Sequence, residues 1–450
     1  MDLYTSIISS FIFPLHEQVK NHQSVAIRRR LEVSQWWDPG RLEDFQVSEL
    51  RRFLTEVSAH VPYYRNIFSQ LGIKAEDIRS LSDLACLPLL DKSTIRSSAE
   101  AMKSENSDSL ARFNTGGSSG EPLIFYISKE RVSHDVAAKW RATRWWDVDI
   151  GDKEIVVWGS PIELGAQDGL RAFRDRVFRT KLLPAFEMSE QKLDGFLRDI
   201  RATRPKMLFG YPSALSHIAG RAESTGQRMD DLGIRVAFVT SERLYDEQRK
   251  KIARTFGCRV ANGYGGRDAG FIAHDCPSGG MHITAEDIIV EIVDHQGNPV
   301  PHEEPGEIVV THLATKDFPF IRYRTGDIGV LDSRACSCGR GLPLIKEIQG
   351  RSTDFLVSQD GTVMHGLALI YVLRDLPEIR HFKIVQESTD FTRIYVVSEH
   401  GLSPPVAEKI RQGFRERLGQ KVTIAIEEVE RIPSEKSGKF RYVMSKVSTI

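Results

Sequence analysis

The sequence predicts an α/β protein: a large N-terminal domain with mixed sheets flanked by helices, plus a small α+β C-terminal domain. Three observations carry this. Short apolar runs, each closed by Gly, Pro or Ser and followed by a helical pattern, recur between residues 111 and 350, which is the alternation of an α/β fold. Residues 351–450 read strand, helix, strand, strand, helix, strand, enough for a domain of their own. The length of 450 residues, with 41% hydrophobic and 27% charged side chains, fits a globular chain of roughly two to three domains.

Residues 1–110 form the helical N-terminal part of the large domain. Leu3 to Leu15 is apolar, with Ile7, Ile8, Phe11, Ile12 and Phe13. It is shorter than the ~20 residues a bilayer span needs. Asp2 stands where a signal peptide carries positive charge, and no small-residue cleavage site follows, so it reads as a helix packed on the body. Val47–Ser58 has helical spacing, and a break at Pro62 opens V-P-Y-Y-R-N-I-F, whose two tyrosines read as packing. Residues 111–350 are the core of the large domain. Strands are expected at Ile155–Trp158, Met207–Phe209, Val236–Val239 and Arg259–Ala261, and helices at Gln191–Thr203, Ser213–Ser224 and Tyr245–Phe256, which argues for largely parallel pairing. Asp287–Val293 and Gly306–His312 read as antiparallel strands joined by a turn at Gly297 and Asn298. Beyond a boundary near Gly350–Phe355, the elements fall at Phe355–Ser358, Leu367–Leu373, His381–Val385, Thr392–Val397, Val406–Leu418 and Val422–Val429.

Lys+Arg and Asp+Glu both count 61, so nothing electrostatic points to nucleic acid or an anionic membrane. Five cysteines, an odd number, do not make a disulfide scaffold and fit a reducing, cytoplasmic setting. Cys86 and Cys258 read as small buried residues. A homodimer is the commonest soluble oligomer.

The densest chemical signal is Thr115, Gly116, Gly117, Ser118, Ser119 and Gly120, followed by Glu121 and Pro122. Glycines admit close backbone approach, and hydroxyls with free N–H groups can wrap phosphate oxygens. Such a run is also what a flexible linker looks like. It lacks the lysine of a Walker loop. Polar chain precedes it and the strand L-I-F-Y-I follows. Ser241 and Glu242 stand at a strand end, where α/β sheets bind ligands, or cap the next helix. Asn262 to Gly270 reads N-G-Y-G-G-R-D-A-G, Ile321 to Ile328 reads I-R-Y-R-T-G-D-I, Gln349 to Phe355 reads Q-G-R-S-T-D-F, and Ile432 to Lys439 reads I-P-S-E-K-S-G-K. Cys336 and Cys338 form C-x-C, with Cys276, His274 and His282 upstream. Three thiols and one imidazole would close a tetrahedral zinc shell, although reduced, unliganded thiols fit the same spacing.

These stretches, in this order, resemble the adenylate-forming enzymes, in particular the phenylacetate–CoA ligase branch and its capsule-biosynthesis-type relatives. The resemblance covers roughly residues 60 to 440. It implies an adenylate-forming large domain and a mobile small domain that rotates between two half-reactions. Thr115–Gly120 would be the phosphate loop. Ser241, Glu242, Tyr264 and Gly265 would line the adenine pocket. Asp268, standing for the family's glutamate, would sit near Mg2+, with Arg267 in place of a hydroxyl residue. Asp327 would accept both ribose hydroxyls, Arg351 would touch ribose or phosphate, Asp354 would be the hinge, and Lys439 the adenylation lysine. The G-x-H match makes His282, in place of His274, the fourth zinc ligand beside Cys276, Cys336 and Cys338. Trp158, Tyr211 and Pro212, at strand ends, are candidates for the acid pocket, though packing accounts for them as well. The implied reaction activates a small carboxylic acid, aryl or other, with ATP and passes the acyl group to coenzyme A. An acceptor other than CoA, or a nucleotide-binding relative without activity, remains the alternative.

Overall fold

The computed structural model describes residues 2–115, 123–158, 169–185, 187–294, 296–348, 355–374, 376–399, 401–432 and 443–447. Among them an eleven-stranded sheet runs through the large domain. Its spatial order is Ile288–Val293, Gly306–His312, Tyr323–Asp332, Leu344–Ile348, Met281–Ile283, Gly270–Asp275, Arg259–Gly266, Val236–Thr240, Met207–Gly210, Glu154–Trp158 and Thr180–Pro184. From Arg259–Gly266 to Thr180–Pro184 the pairing is parallel. Beyond it every pairing is antiparallel. The expected largely parallel sheet is therefore only half of the observed one. Pairing switches at Gly263–Gly270 because a tight turn there sends the chain straight back, with no crossover helix.

The helices Glu190–Thr203, Pro212–Ser224 and Asp246–Phe256 alternate with the parallel strands as expected. Leu197, Ile200, Leu215 and Ile252 are fully buried against Val157, Leu208 and Val239. The N-terminal helices form a second core with the antiparallel half, where Leu50, Leu54 and Val57 meet Ile308, Val310 and Tyr323. Asp38 caps the helix Pro39–His60, with proline at its first position. Val61, preceding Pro62, is extended, and it separates that helix from Pro62–Leu71. Tyr64 is buried and meets Tyr63 edge-to-face, as the packing reading expected. The turn at Gly297 is present, with φ +89°.

The polar chain before Thr115 is itself a strand, Ala111–Asn114, which pairs antiparallel with Ile124–Ile127. A hairpin therefore presents the Gly/Ser run. The strand is half exposed, and that hid it within A-R-F-N. At the C-terminal end, Phe382, Ile384, Ile394 and Val396 pack on Leu369, Ile410 and Phe414 in a separate core. The sheet order there is Thr423–Glu428, Phe391–Ser398, Ile379–Ser388, Val443–Ser445. Residues 355–357 and 363–365 form a further small sheet with Glu187–Met188 of the large domain. Among the described residues, no helix is long and apolar enough to cross a membrane.

Candidate active site

A cleft of about 670 Å³ opens at the C-terminal edge of the parallel strands, where pairing changes direction. Thr115, Ser241, Glu242, Tyr264, Gly265, Asp268 and Asp327 all line it. They come from segments more than 200 residues apart in the chain, as their numbers show.

Thr115 closes the neck of the hairpin. Its N–H donates to the carbonyl of Leu123 (3.0 Å), and its Oγ1 accepts the N–H of Leu123 (2.9 Å). Gly116, Gly117, Ser118, Ser119 and Gly120 lie outside the described residues, as do Arg351, Asp354 and Lys439. Ser241 has φ +73°, a left-handed conformation that turns the chain into the cleft just past the strand Val236–Thr240. Glu242 accepts bonds from the hydroxyl and the N–H of Ser213.

Two of the carboxylates lining the cleft each take a tyrosine hydroxyl. Tyr264 Oη donates to Asp327 Oδ2 at 3.1 Å, and burial together with the Asp327 charge pushes its pKa well up. Tyr323 Oη donates to Asp268 Oδ2 at 2.6 Å, while Asp268 Oδ1 accepts the N–H of Ala269. Tyr323 is fully buried, so its hydroxyl is fixed from below. Residue 265 must be glycine, since a Cβ there would stand 2.2 Å from the carbonyl oxygen of Gly270.

Arg267, for which charge toward the phosphates or the substrate carboxylate was expected, is not among the described residues lining the cleft, although its neighbours Gly266 and Asp268 are. It stands in the turn Gly266–Gly270, and Tyr371 of the C-terminal domain lies within its electrostatic reach. The turn is held from beneath by residues the sequence reading missed. Arg131 is almost wholly buried. Its Nη2 donates to the carbonyls of Arg267 (3.5 Å) and Asp268 (3.4 Å), and its Nε to Asp135 (2.8 Å). Burial alone would raise the carboxyl of Asp135, but Arg131 and His312 hold it at about 2. His312 itself is pushed down to about 4, by burial first and then by Arg131.

Trp158, Tyr211 and Pro212 do not line the cleft either. Trp158 and Tyr211 stack on each other at 4.4 Å, and Trp158 also faces Phe209. That stacking is the packing role the sequence also allowed for these rings. Pro212 is buried in the first turn of its helix. Their segment reaches the cleft through Ser213, the partner of Glu242.

The ligand atoms of Cys276, His282, Cys336 and Cys338 lie within 4.8 Å of one another. The Cys276 and Cys336 sulfurs are 3.6 Å apart, too far for a disulfide, and His282 Nε2 is 3.2 Å from Cys338 Sγ. Ligands at about 2.0–2.3 Å around a tetrahedral zinc stand roughly 3.5–3.8 Å apart, so the donor set fits. His282 Nδ1 is bonded to the carbonyl of Leu342, which leaves Nε2 to the metal, and burial holds the imidazole neutral with a pKa of about 4. His274 lies outside the cluster, its ring against Trp145 at 4.5 Å.

Residues 179–314 match the AMP-binding enzyme family, and residues 356–446 match the CapK C-terminal domain. The chain is 22% identical to protein CapK of Staphylococcus aureus, over 92% of each chain. It is 26% identical to a phenylacetate-coenzyme A ligase of Thermus thermophilus, over 85% of this chain and 84% of that one. These matches support a place in the adenylate-forming superfamily, in the branch of the phenylacetate–CoA ligases and CapK. The fold of the chain is similar to that of a 2-hydroxyisobutyryl-CoA ligase solved with 2-HIB-AMP and CoA, at a TM-score of 0.66, 19% identity and 91% coverage of both chains.

Proposed function

We propose that this chain is an AMP-forming acid–CoA ligase. It would join a small carboxylic acid to the α-phosphate of ATP, release pyrophosphate, and pass the acyl group to the thiol of coenzyme A. The observation that carries this reading is the convergence of Thr115, Asp268 and Asp327 on one cleft, at the mouth of the hairpin that presents the Gly/Ser run.

Asp327 suits a ribose, because a carboxylate can accept several O–H donors and one oxygen is already oriented by Tyr264. Glu242, fixed by Ser213, and the ring of Tyr264 form the wall where a purine base would lie. Asp268, oriented by Tyr323, is the group to hold Mg2+, a cation that binds through one or two carboxylates plus phosphate oxygens. When bound, that ion would neutralise phosphate charge. Lys439 would place an ammonium against the charge that develops between carboxylate and phosphate, and Thr115–Gly120 would supply N–H and O–H donors. Binding acid and ATP side by side removes most of the entropic cost of their encounter.

The match of residues 356–446 to the CapK C-terminal domain favours a second reading, in which the acceptor is an amine, a hydroxyl or a carrier-protein thiol. ATP–pyrophosphate exchange with a panel of carboxylic acids tests the first half-reaction. AMP release in the presence of CoA, amines or carrier proteins then separates the acceptors. Exchange should be lost in Lys439→Ala while ATP binding persists. No exchange with any acid would count against an enzyme of this class.

A further inference from the structure

The N-terminal helix is built the wrong way round for a surface helix. Leu3, Ile7, Phe11, Leu15 and Val19 recur every four residues and are 79%, 45%, 71%, 58% and 78% exposed. The face turned to the body carries Thr5, Ile8, Ser9, Phe13 and Glu17, all buried, and three of these five are polar. Thr5 Oγ1 donates to Asp152, and Glu17 accepts from the hydroxyl of Ser24. Thr5 and Glu17 are thus bonded inside while five large apolar side chains face out, where an ordinary amphipathic helix turns its large apolar residues in. Such a stripe marks a contact surface.

The backbone keeps the stripe on one face. In a pure α-helix an every-fourth pattern creeps round the axis by about 40° per step. Here Ile8–Ile12 is a π-helical turn, whose extra residue per turn takes back part of that creep. Pro14, which has no N–H to complete the regular ladder, accounts for the wider turn.

We propose that this face is the contact between two copies of the chain, paired antiparallel about a twofold axis at Phe11. The pattern is symmetric about that residue. The axis sets Leu3 against the second copy's Val19, Ile7 against its Leu15, and Phe11 against its own equivalent. The same operation sets Lys20 against Asp2, a half-exposed carboxylate that in its own chain caps the helix through the N–H of Thr5 and pairs with Arg179 at 3.0 Å. No charged residue lies between Leu3 and Leu15, and charge depletion with a polar rim is the anatomy of a protein interface. A lipid surface would instead want basic residues along the helix.

Sedimentation equilibrium of the full chain tests this. The wild type should be a dimer. Phe11→Glu, at an exposed position, should raise the dimer Kd about 100-fold while the circular dichroism of the folded chain is unchanged. Lys20→Asp should weaken the dimer, and adding Asp2→Lys should restore it. A wild type that stays monomeric at roughly 100 μM overturns the proposal. So does a dimer indifferent to Phe11→Glu, a charge exchange that fails to restore, or binding to anionic vesicles by a monomer.

Discussion

Asp268 and Asp327 are each steered by a phenol, Tyr323 for one and Tyr264 for the other. The two can be told apart. Tyr323→Phe should leave folding within about 1 kcal/mol, since one hydrogen bond is lost, and raise the Mg2+ needed for half-maximal pyrophosphate exchange about tenfold. Asp327→Ala should weaken ATP binding by roughly 10–100-fold, through loss of charge-assisted bonds, and leave the Mg2+ requirement unchanged; calorimetric titration reads both. His312 gives a pH prediction. Its imidazole titrates near 4 in the folded protein, against an ordinary value of 6.5. Between those values the unfolded chain takes the proton and the folded one does not. Stability from this group is therefore complete above pH 6.5 and is lost as pH falls toward 4, at about 1.4 kcal/mol per pH unit. Urea unfolding across that range should show one proton fewer in His312→Gln. Asp327 was legible in R-T-G-D. Arg131 and Asp135 were not, because charged residues four apart on a helix read as solvent-facing, and only the fold buries them under the turn.

At the scale of elements, the hairpin Ala111–Ile127 and the turn Gly266–Gly270 define the cleft. Gly270 has φ +89°, and a Cβ there would stand 2.7 Å from the His312 ring and 3.0 Å from Arg131. Gly270→Ala should therefore cost more than about 2 kcal/mol, from strain and overpacking together, measurable as a lowered thermal midpoint. The Cys276–His282 hairpin and the segment bearing Cys336 and Cys338 should carry one zinc per chain by elemental analysis. Chelation, or Cys338→Ser, should lower the midpoint by about 5 °C or more, since metal binding is folding free energy here. The apolar runs from Ile155 to Ala261 announced their strands clearly. Thr180–Pro184 and Glu187–Met188 did not, the first because T-K-L-L-P mixes charge and proline into an edge strand, the second because two residues carry no period.

Across the whole molecule, the alternation of the large domain was legible in the sequence, and so was the element order of the terminal one apart from the short strands Val363–His365 and Val443–Ser445. That eleven strands join in one sheet was not, because the register between Met281–Ile283 and Leu344–Ile348 is fixed by contacts some sixty residues apart. The choice of cleft follows from that register, which sets Asp268 and Asp327 on the same side. One small detail of the architecture governs what the terminal domain can do. Among the described residues, its only backbone ladder to the body is the pairing of Val363 with Met188 and Met364 with Glu187. We propose that a seam only two rungs long lets the terminal domain turn against the large one at little cost, as a boat on a short line swings to another berth.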